Sequence, residues 1–354
     1  CGSADLFATE PGRGAPASIN FVSCHDGFTL TDLTRYRSKH NEANGENNND
    51  GSSVNHSANF GVEGVTDDPD VIAAREQAAM NMIGMLLLSL GTPMMLAGDE
   101  FRNTQDGNNN AYCQDNDITW LKWDWMYSTN KTREMRRLET VSRLVALRKS
   151  LDLYHHEDFF TRLTQLGLLK PSSRVQWFLP DGTTPMERDW FDLGVRSFTM
   201  RLLSNSEVDV CIVVNGTADD RTFRLPPDTH WTPKWCSAEI NGRRAGHGTQ
   251  VEECDLNGDT TVWTQHVPDA SETVLKMVEE VAMQRTESST ENEADTIKFA
   301  MPVTDHAANG TSSAPRDEVS ADMPDAPVDD TPDTPVDDNV WTMPALSITL
   351  MKQV

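Results

Sequence analysis

Ile19-Asn-Phe-Val-Ser-Cys-His25-Asp26-Gly-Phe-Thr-Leu30 is the stretch on which the fold turns. Ile19 to Val22 have the make-up of a short buried strand, which ends abruptly in a His-Asp pair and a glycine. An α/β barrel presents chemistry in this way: apolar strand below, polar side chains at its C-terminal end, and a Gly where the chain turns. A His beside a carboxylate is weak evidence alone, because most such pairs are ordinary surface residues. The sequel is more telling. His40-Asn-Glu-Ala-Asn-Gly-Glu-Asn-Asn-Asn-Asp50 is a long polar loop placed to line a cleft.

Around that stretch the chain divides by texture. Residues 1–18 are a loop by their Gly and Pro content, 31–37 continue the motif as a short helix, and 38–66 form a loop rich in Asn, Gly and Ser. A loop that long in a packed domain is read here as functional. Asp68 then caps a helix with Pro69 at its first position, and apolar residues run to Leu90 before Gly91-Thr-Pro93 stops it. Residues 78–98 carry no charge, so a membrane span has to be weighed. Gly91 and Pro93 split the run into a helix and a short strand, Met94 to Ala97, and Asn81 sits inside the helical part. Helix, tight turn, apolar strand and Gly98-Asp99-Glu100 make an α/β barrel step instead, with the helix apolar all round because it is buried.

Residues 101–130 are irregular and polar, with Asn108-Asn-Asn110, Tyr112, Trp120, Trp123 and Trp125. A second helix spans about 131–150, where Met135, Leu138, Val141, Leu144, Val145 and Leu151 give an apolar stripe. Its arginines (Arg133, Arg136, Arg137, Arg143, Arg148) are interleaved with Glu134 and Glu139, which favours a solvated outer face over a basic binding face. From about 155 the texture changes to short apolar runs: Val175 to Leu179, Val195 to Leu203, Val208 to Asn215, Arg221 to Leu225, Trp231 to Ala238 and Thr260 to Gln265. Turn signals between them predict an antiparallel β-sandwich. Val340 to Met351 reads as a last strand returning to it.

The length of 354 residues predicts two or three domains. A net charge of -25 argues against nucleic acid or an anionic membrane surface as partner. Residues 266–339 hold eighteen acidic and four basic residues, so -14 of the total lies there. After a short helix near 272–284, that stretch is rich in Glu, Asp, Ser, Thr and Pro and is expected to be disordered, an insertion in a sandwich loop. The six cysteines (Cys1, Cys24, Cys113, Cys211, Cys236, Cys254) show no ligand-like spacing, which suggests a reducing, cytoplasmic compartment and buried thiols. Cys1 opens in mid-motif, so the chain is expected to be a fragment.

Four motifs in register carry a resemblance: HDGFTL at 25–30, HNEANGENNNDG at 40–51, GTPMMLAGDE at 91–100 and GNNNAYCQDN at 107–116. The chain resembles the second half of an isoamylase-type glycogen debranching enzyme of the alpha-amylase superfamily (glycoside hydrolase family 13). The likeness covers roughly residues 11–265 and the end of the chain. It implies the last two βα units of a (β/α)8 barrel over 1–152, a β-sandwich over 153–265 and 340–354, and the acidic insertion at 266–339. It implies hydrolysis of α-1,6 branch linkages in glycogen or limit dextrin by a retaining, two-carboxylate mechanism without a cofactor or metal.

In that scheme Asp26 matches a third carboxylate, which binds ring hydroxyls and helps distort the sugar, and His25 matches a histidine on the same sugar. His40, Asn41, Glu42, Asn44 and Glu46 offer hydroxyl-binding groups, although a solvated loop has the same composition; Asn108, Asn109, Asn110 and Tyr112 match the cleft wall. Phe28 either stacks on sugar or packs beneath the pair. Arg102 and Asn103 fall where the wording departs from the family and inherit no role. Neither the nucleophile motif nor the acid motif is found in these residues, so the chain alone is expected to be inactive. A non-catalytic glucan-binding module is the competing reading. The motifs do not separate bacterial debranching enzymes from isoamylases or trehalose-pathway debranchers, and the sequence is silent on oligomeric state.

Three features attract other readings. Asp99-Glu100 are adjacent at a strand end and point apart, so one of them is expected to line the cleft floor or anchor the loop. Asp255-Leu-Asn257-Gly258-Asp259 begins like a calcium loop but has no Gly at the sixth position and His266 at the twelfth, which leaves a hairpin turn. His155-His156-Glu157 suggests metal, yet adjacent histidines point apart and a structural role is preferred.

Overall fold

The computed structural model describes residues 13–155, 175–204, 208–227, 230–247, 252–253, 339–345 and 347–353. The body of the acidic stretch, the run Thr260 to Gln265, the Asp255–Asp259 turn and the pair His156-Glu157 lie outside the described residues.

Two short strands, β1 (Ile19–Asn20) and β2 (Thr92–Pro93), lie parallel with Ile19 opposite Thr92. Thr92 N donates to Ser18 O and Met94 N to Asn20 O, both at 2.8 Å. In a parallel ladder the residue between two donors turns its own nitrogen away, so Pro93 is tolerated there. This corrects two expectations. The second strand pairs at Thr92–Pro93 rather than over Met94 to Ala97. The first is two residues long and is not buried: Ile19 is 60% and Phe21 54% exposed, because among the described residues this sheet has two strands and no outer layer.

Three helices surround this pair in sequence. Helix α1 (Leu30–Leu33), shorter than expected, is capped by Thr29, whose hydroxyl accepts from Asp32 N. Helix α2 (Pro69–Leu88) starts as predicted, with the Asp68 carboxylate accepting from Asp70 N at 3.0 Å and Val71 N at 3.3 Å. Helix α3 (Arg133–Ser150) is capped by Thr132 and carries Arg148 and Lys149 in its last turn, where cations suit the helix dipole. Helix α2 is long and apolar enough to cross a membrane, but 56% of its most apolar window is buried inside the protein and it also buries Arg75 and Glu76.

The remaining elements are antiparallel. Strands β3 (Val175–Phe178), β4 (Ser197–Leu202), β5 (Val210–Asn215), β6 (Arg221–Arg224) and β7 (Trp231–Cys236) fall within a few residues of the predicted runs. Short strands β8 (Arg243–Arg244), β9 (Gly246–His247) and β10 (Glu252–Glu253) follow, then β11 (Val340–Met343) and β12 (Ser347–Gln353). A five-stranded sheet runs β3-β4-β5-β12-β7, a three-stranded one β6-β11-β9, and β10 pairs with β8. The single strand expected over Val340 to Met351 is therefore two strands in two sheets, broken at Pro344, and each lies between two neighbours. Asn215 Nδ2 donates to Met343 O at 3.2 Å and Pro344 O at 3.0 Å, tying down the crossover.

Alternation along β5 explains the layering. Val210 and Ile212 join Leu202, Trp235, Ile348 and Leu350 in a core shared with Met80, Ile83 and Leu87 of α2 and Val141 and Leu144 of α3. Cys211 and Val213 face the other way, into Phe223, Leu225, Trp231, Trp341, Met343 and Met351. With both faces covered, β5 reads as a continuous apolar run rather than an alternating one. The helix layer meets the sheet closely at Gly84, where a Cβ would stand 2.8 Å from the Trp235 ring.

Candidate functional site

The loop after β1 and the loop after β2 are joined by two buried carboxylates that cross in opposite directions. Asp99, 2% exposed, accepts the Ser23 hydroxyl on one oxygen and Leu30 N on the other, at 2.9 Å for the latter. Asp32, on α1, accepts the Thr104 hydroxyl and Gln105 N, the second at 2.8 Å. Burial raises the pKa of both groups, against the lowering pull of these hydrogen bonds. The expectation that one of Asp99 and Glu100 anchors the loop fits this geometry, and Glu100 turns back to accept Gly98 N at 2.9 Å.

His25 and Asp26 stand on the loop so clasped. Their side chains are 87% and 81% exposed, with His25 Nε2 3.5 Å from Asp26 Oδ2. They are thus not a buried ion pair at a strand end. Gly27, with φ +94°, turns the tip, and its N–H donates to Asn109 O at 3.0 Å. Phe28 is buried and packs beside Tyr36, which decides its role in favour of packing. What the pair offers is an imidazole and a carboxylate in solvent on a backbone fixed at both ends, suited to hydrogen bonds with hydroxyl groups.

The 38–66 loop is held by amides. Asn41 Oδ1 accepts Asn109 N at 3.0 Å, while its Nδ2 donates to Asn109 Oδ1 at 2.9 Å and Asp50 O at 3.0 Å. Asn108 Nδ2 donates to Asn44 Oδ1 at 2.8 Å, and Asn109 Nδ2 donates to Ser52 O at 2.8 Å. Asp50 Oδ2 receives Asn44 Nδ2 at 2.7 Å and Asn110 Nδ2 at 2.9 Å, bonds that lower its pKa. Two glycines make room: Gly51 (φ +71°) would set a Cβ 2.7 Å from Asn41 Nδ2, and Gly107 (φ +82°) one 2.8 Å from Tyr36. Asn41, expected to offer a hydroxyl-binding group, and Asn108 and Asn109, expected on the cleft wall, all take part in these bonds. They are 0%, 1% and 3% exposed, and their amide groups lock the two loops together. Asn110 is half-buried and bonded in the same way.

His40, Glu42 and Tyr112 remain at the surface. Glu42 is exposed at the start of a 3-10 turn, and Tyr112, 69% exposed, points its hydroxyl at Glu46 Oε1 at 3.4 Å. His40 Nε2 lies 3.2 Å from Glu63 Oε1. Glu63 also accepts Arg37 N and Asn59 Nδ2, at 2.9 and 2.8 Å, and Ser38 N at 3.1 Å. Partial burial raises its pKa, but these donors prevail and hold it down at about 2. From the other side Arg75 donates to the carbonyls of Gly64, Asn59 and Val62, closing the far limb of the loop onto α2.

Beneath lies an ion cluster that the sequence reading missed. Arg137 and Arg102 both reach Glu76, at 2.8 and 2.7 Å, and Arg102 also reaches Glu134 at 3.0 Å. Burial raises the Glu76 pKa, yet the two guanidinium charges outweigh it and leave the group ionised. Arg137, 0% exposed, further donates to Asp99 O at 3.4 Å. The α3 arginines expected on a solvated face are thus partly anchors. Arg137 belongs to the core, Arg143 pairs with Glu239 at 2.9 Å, and Arg148 donates to the carbonyls of Leu87, Ser89 and Gly91. A single sequence hides this because the partners are a distant Glu and backbone oxygens. Among the described residues no cluster of His, Cys, Asp and Glu could hold a metal ion.

No family model matches the chain. Over 256 residues it is 38% identical to the glycogen debranching enzyme of Pectobacterium atrosepticum, a match covering 72% of this chain and 36% of that one. Over 203 residues it is 44% identical to the glycogen operon protein GlgX homolog of Mycobacterium tuberculosis, covering 56% and 27%. Among solved structures, the catalytic module of the glycogen-degrading pneumococcal virulence factor SpuA is similar over 99% of this chain and 38% of that one, with TM-score 0.46 and 11% identity. The chain thus spans about a third of the length of the curated relatives it matches. By its sequence the chain is similar to part of the glycogen debranching enzymes and glycogen operon protein GlgX homologs.

Proposed function

We propose that the chain forms part of the sugar-binding wall of a glycoside hydrolase that opens α-1,6 branch linkages in glycogen and limit dextrin. The sequence match to glycogen debranching enzymes carries this reading, since its motifs fall on the three loops locked together around His25 and Asp26. A retaining mechanism needs an acid and a nucleophile roughly 5 Å apart. Asp26 takes a third role, accepting hydrogen bonds from ring hydroxyls that strengthen as the oxocarbenium-like state forms. His25 binds the same sugar, and His40, Glu42, Asn110 and Tyr112 border it.

In this reading β1, β2 and α2 belong to the last two βα units of a (β/α)8 barrel over 1–152, followed by the sandwich at 153–265 and 340–354 and an insertion at 266–339. The free thiols Cys24, Cys113, Cys211 and Cys236 suit a cytoplasmic protein. The acid and the nucleophile come from residues other than these 354, so the chain by itself hydrolyses nothing.

The test is reducing-sugar release from branched glycogen by the longer protein containing this chain, with and without Asp26→Ala. Loss of debranching by about a hundredfold or more is expected for a transition-state contact of this kind. Near-normal activity of the variant would overturn the assignment.

A further inference from the structure

We propose that Asp99 is a positioning residue for Asp26, because its carboxylate clasps both ends of the loop that presents the His25–Asp26 pair. The inference rests on the reading of Asp26 given above and deepens it. One oxygen of Asp99 accepts the Ser23 hydroxyl just before the loop, and the other accepts Leu30 N just after it. Between those points lie His25 and Asp26, whose side chains are almost fully exposed, and the buried Phe28 and Thr29. A side chain in solvent acquires a defined place through its backbone alone, and here the backbone is closed into a ring through one carboxylate. The Gly27 N–H on Asn109 O at 3.0 Å adds a third support at the tip.

Asp99 is itself well placed to impose geometry. It is 2% exposed, begins the 3-10 turn Asp99–Phe101, and its carbonyl receives Arg137, which is held in turn by Glu76. Two acceptor oxygens on one short side chain are what the clasp requires. Asn keeps an acceptor for Leu30 N, and its amide donates to the Ser23 oxygen, since a hydroxyl both accepts and donates. Asn is therefore the conservative replacement, whereas Ala opens the ring at both ends.

The experiment uses the longer protein containing this chain and compares Asp99→Ala, Asp99→Asn, Ser23→Ala and Asp26→Ala, with kcat and KM on branched glycogen. Misplacing a reacting geometry by about 1 Å costs on the order of 100-fold in rate. Asp99→Ala is expected to lose on the order of 100-fold in kcat with KM little changed, Asp99→Asn to recover most of it, and Ser23→Ala to lose about tenfold. The deciding readout is the double variant Asp26→Ala/Asp99→Ala. If Asp99 acts through Asp26, its removal costs little more once Asp26 is gone; a merely structural contribution adds in full.

Additive losses, or a normal kcat for Asp99→Ala beside an inactive Asp26→Ala, overturn this proposal and leave the functional reading intact. Near-normal activity of Asp26→Ala overturns that reading and this proposal together. Should Asp99→Ala fail to fold, Ser23→Ala in the same cycle with Asp26→Ala decides by the same criterion.

Discussion

The loop side and the sheet side of the described structure are held by opposite means. Around His25 and Asp26, irregular backbone is fixed by buried carboxylates, asparagines and a guanidinium-carboxylate cluster. Across β5 and β12, regular backbone is fixed by two apolar cores, one on each face. Burial of apolar surface is non-directional and tolerates exchange among residues of similar volume. Hydrogen bonds to buried groups are directional and costly to leave half-made. The sheet side thus offers a stable base, and the loop side offers a particular geometry.

Substitutions can break or sharpen that contrast. The largest effects are expected at the two centres. Glu76→Ala leaves Arg137 and Arg102 without their shared anion and is expected to cost about 3–5 kcal/mol in denaturant unfolding. Trp235→Ala is expected to cost about 3–5 kcal/mol through the cavity it leaves. The regions then part ways on repair. Refilling the 235 site with Phe regains stability, while Glu76→Gln, of equal size, does not, since the loss there is of charge. If Glu76→Gln proves as stable as the parent, the cluster is packing and the contrast fails.

Next in size is Gly84→Val, which drives a side chain into the Trp235 ring and is expected to cost about 1–3 kcal/mol, with partial relief from Trp235→Phe in a double-mutant cycle. On the loop side Asn109→Ala strips partners from Asn41 and is expected to cost about 1–3 kcal/mol. Its hydrogen-exchange signature should be confined to 38–66 and 107–116, with β5 and β12 unchanged. Loss of protection in both regions at once would show that they open as one unit.

The smallest effect is a pH dependence. Glu63 is held at about 2 in the folded protein against an ordinary value of 4.5. A depressed carboxylate stabilises the folded form above its unfolded pKa, and that contribution is lost as pH falls through the folded value. Protection of the Arg37 and Ser38 amides should therefore decline between about pH 4.5 and 2. Glu63→Gln should flatten this titration while leaving sheet amides untouched.

The same division governs what could be read from sequence. Val210 to Val214, the Asp68-Pro69 start of α2 and the turn signals between strands are local patterns, and the elements follow them closely. That Asp99 and Glu100 diverge was legible, but which of them anchors the loop was not, since the partners of Asp99, Ser23 and Leu30, lie 76 and 69 residues away. Arg137 was not, since its partner Glu76 is 61 residues away and the surrounding glutamates made the helix face look solvated. Asn41, Asn108 and Asn109 carry the chemistry of sugar recognition, and only their burial shows that they recognise one another. The exposure of Ile19 and Phe21 was hidden for a related reason: apolar character predicts a covered strand, but coverage depends on neighbouring layers.

The two-strand ending of the sandwich has a consequence for biosynthesis. β11 lies between β6 and β9, and β12 between β5 and β7, so residues 340–353 furnish an inner strand to both sheets. The ribosome makes β5, β6 and β7 first and then translates the long acidic stretch before either inner strand exists. Throughout that interval the nascent sheets carry unpaired edges, a state prone to wrong pairing. A message cut short between the codons for Cys236 and Val340 thus yields a chain with both sheets open, whatever it retains of the loops around Asp26.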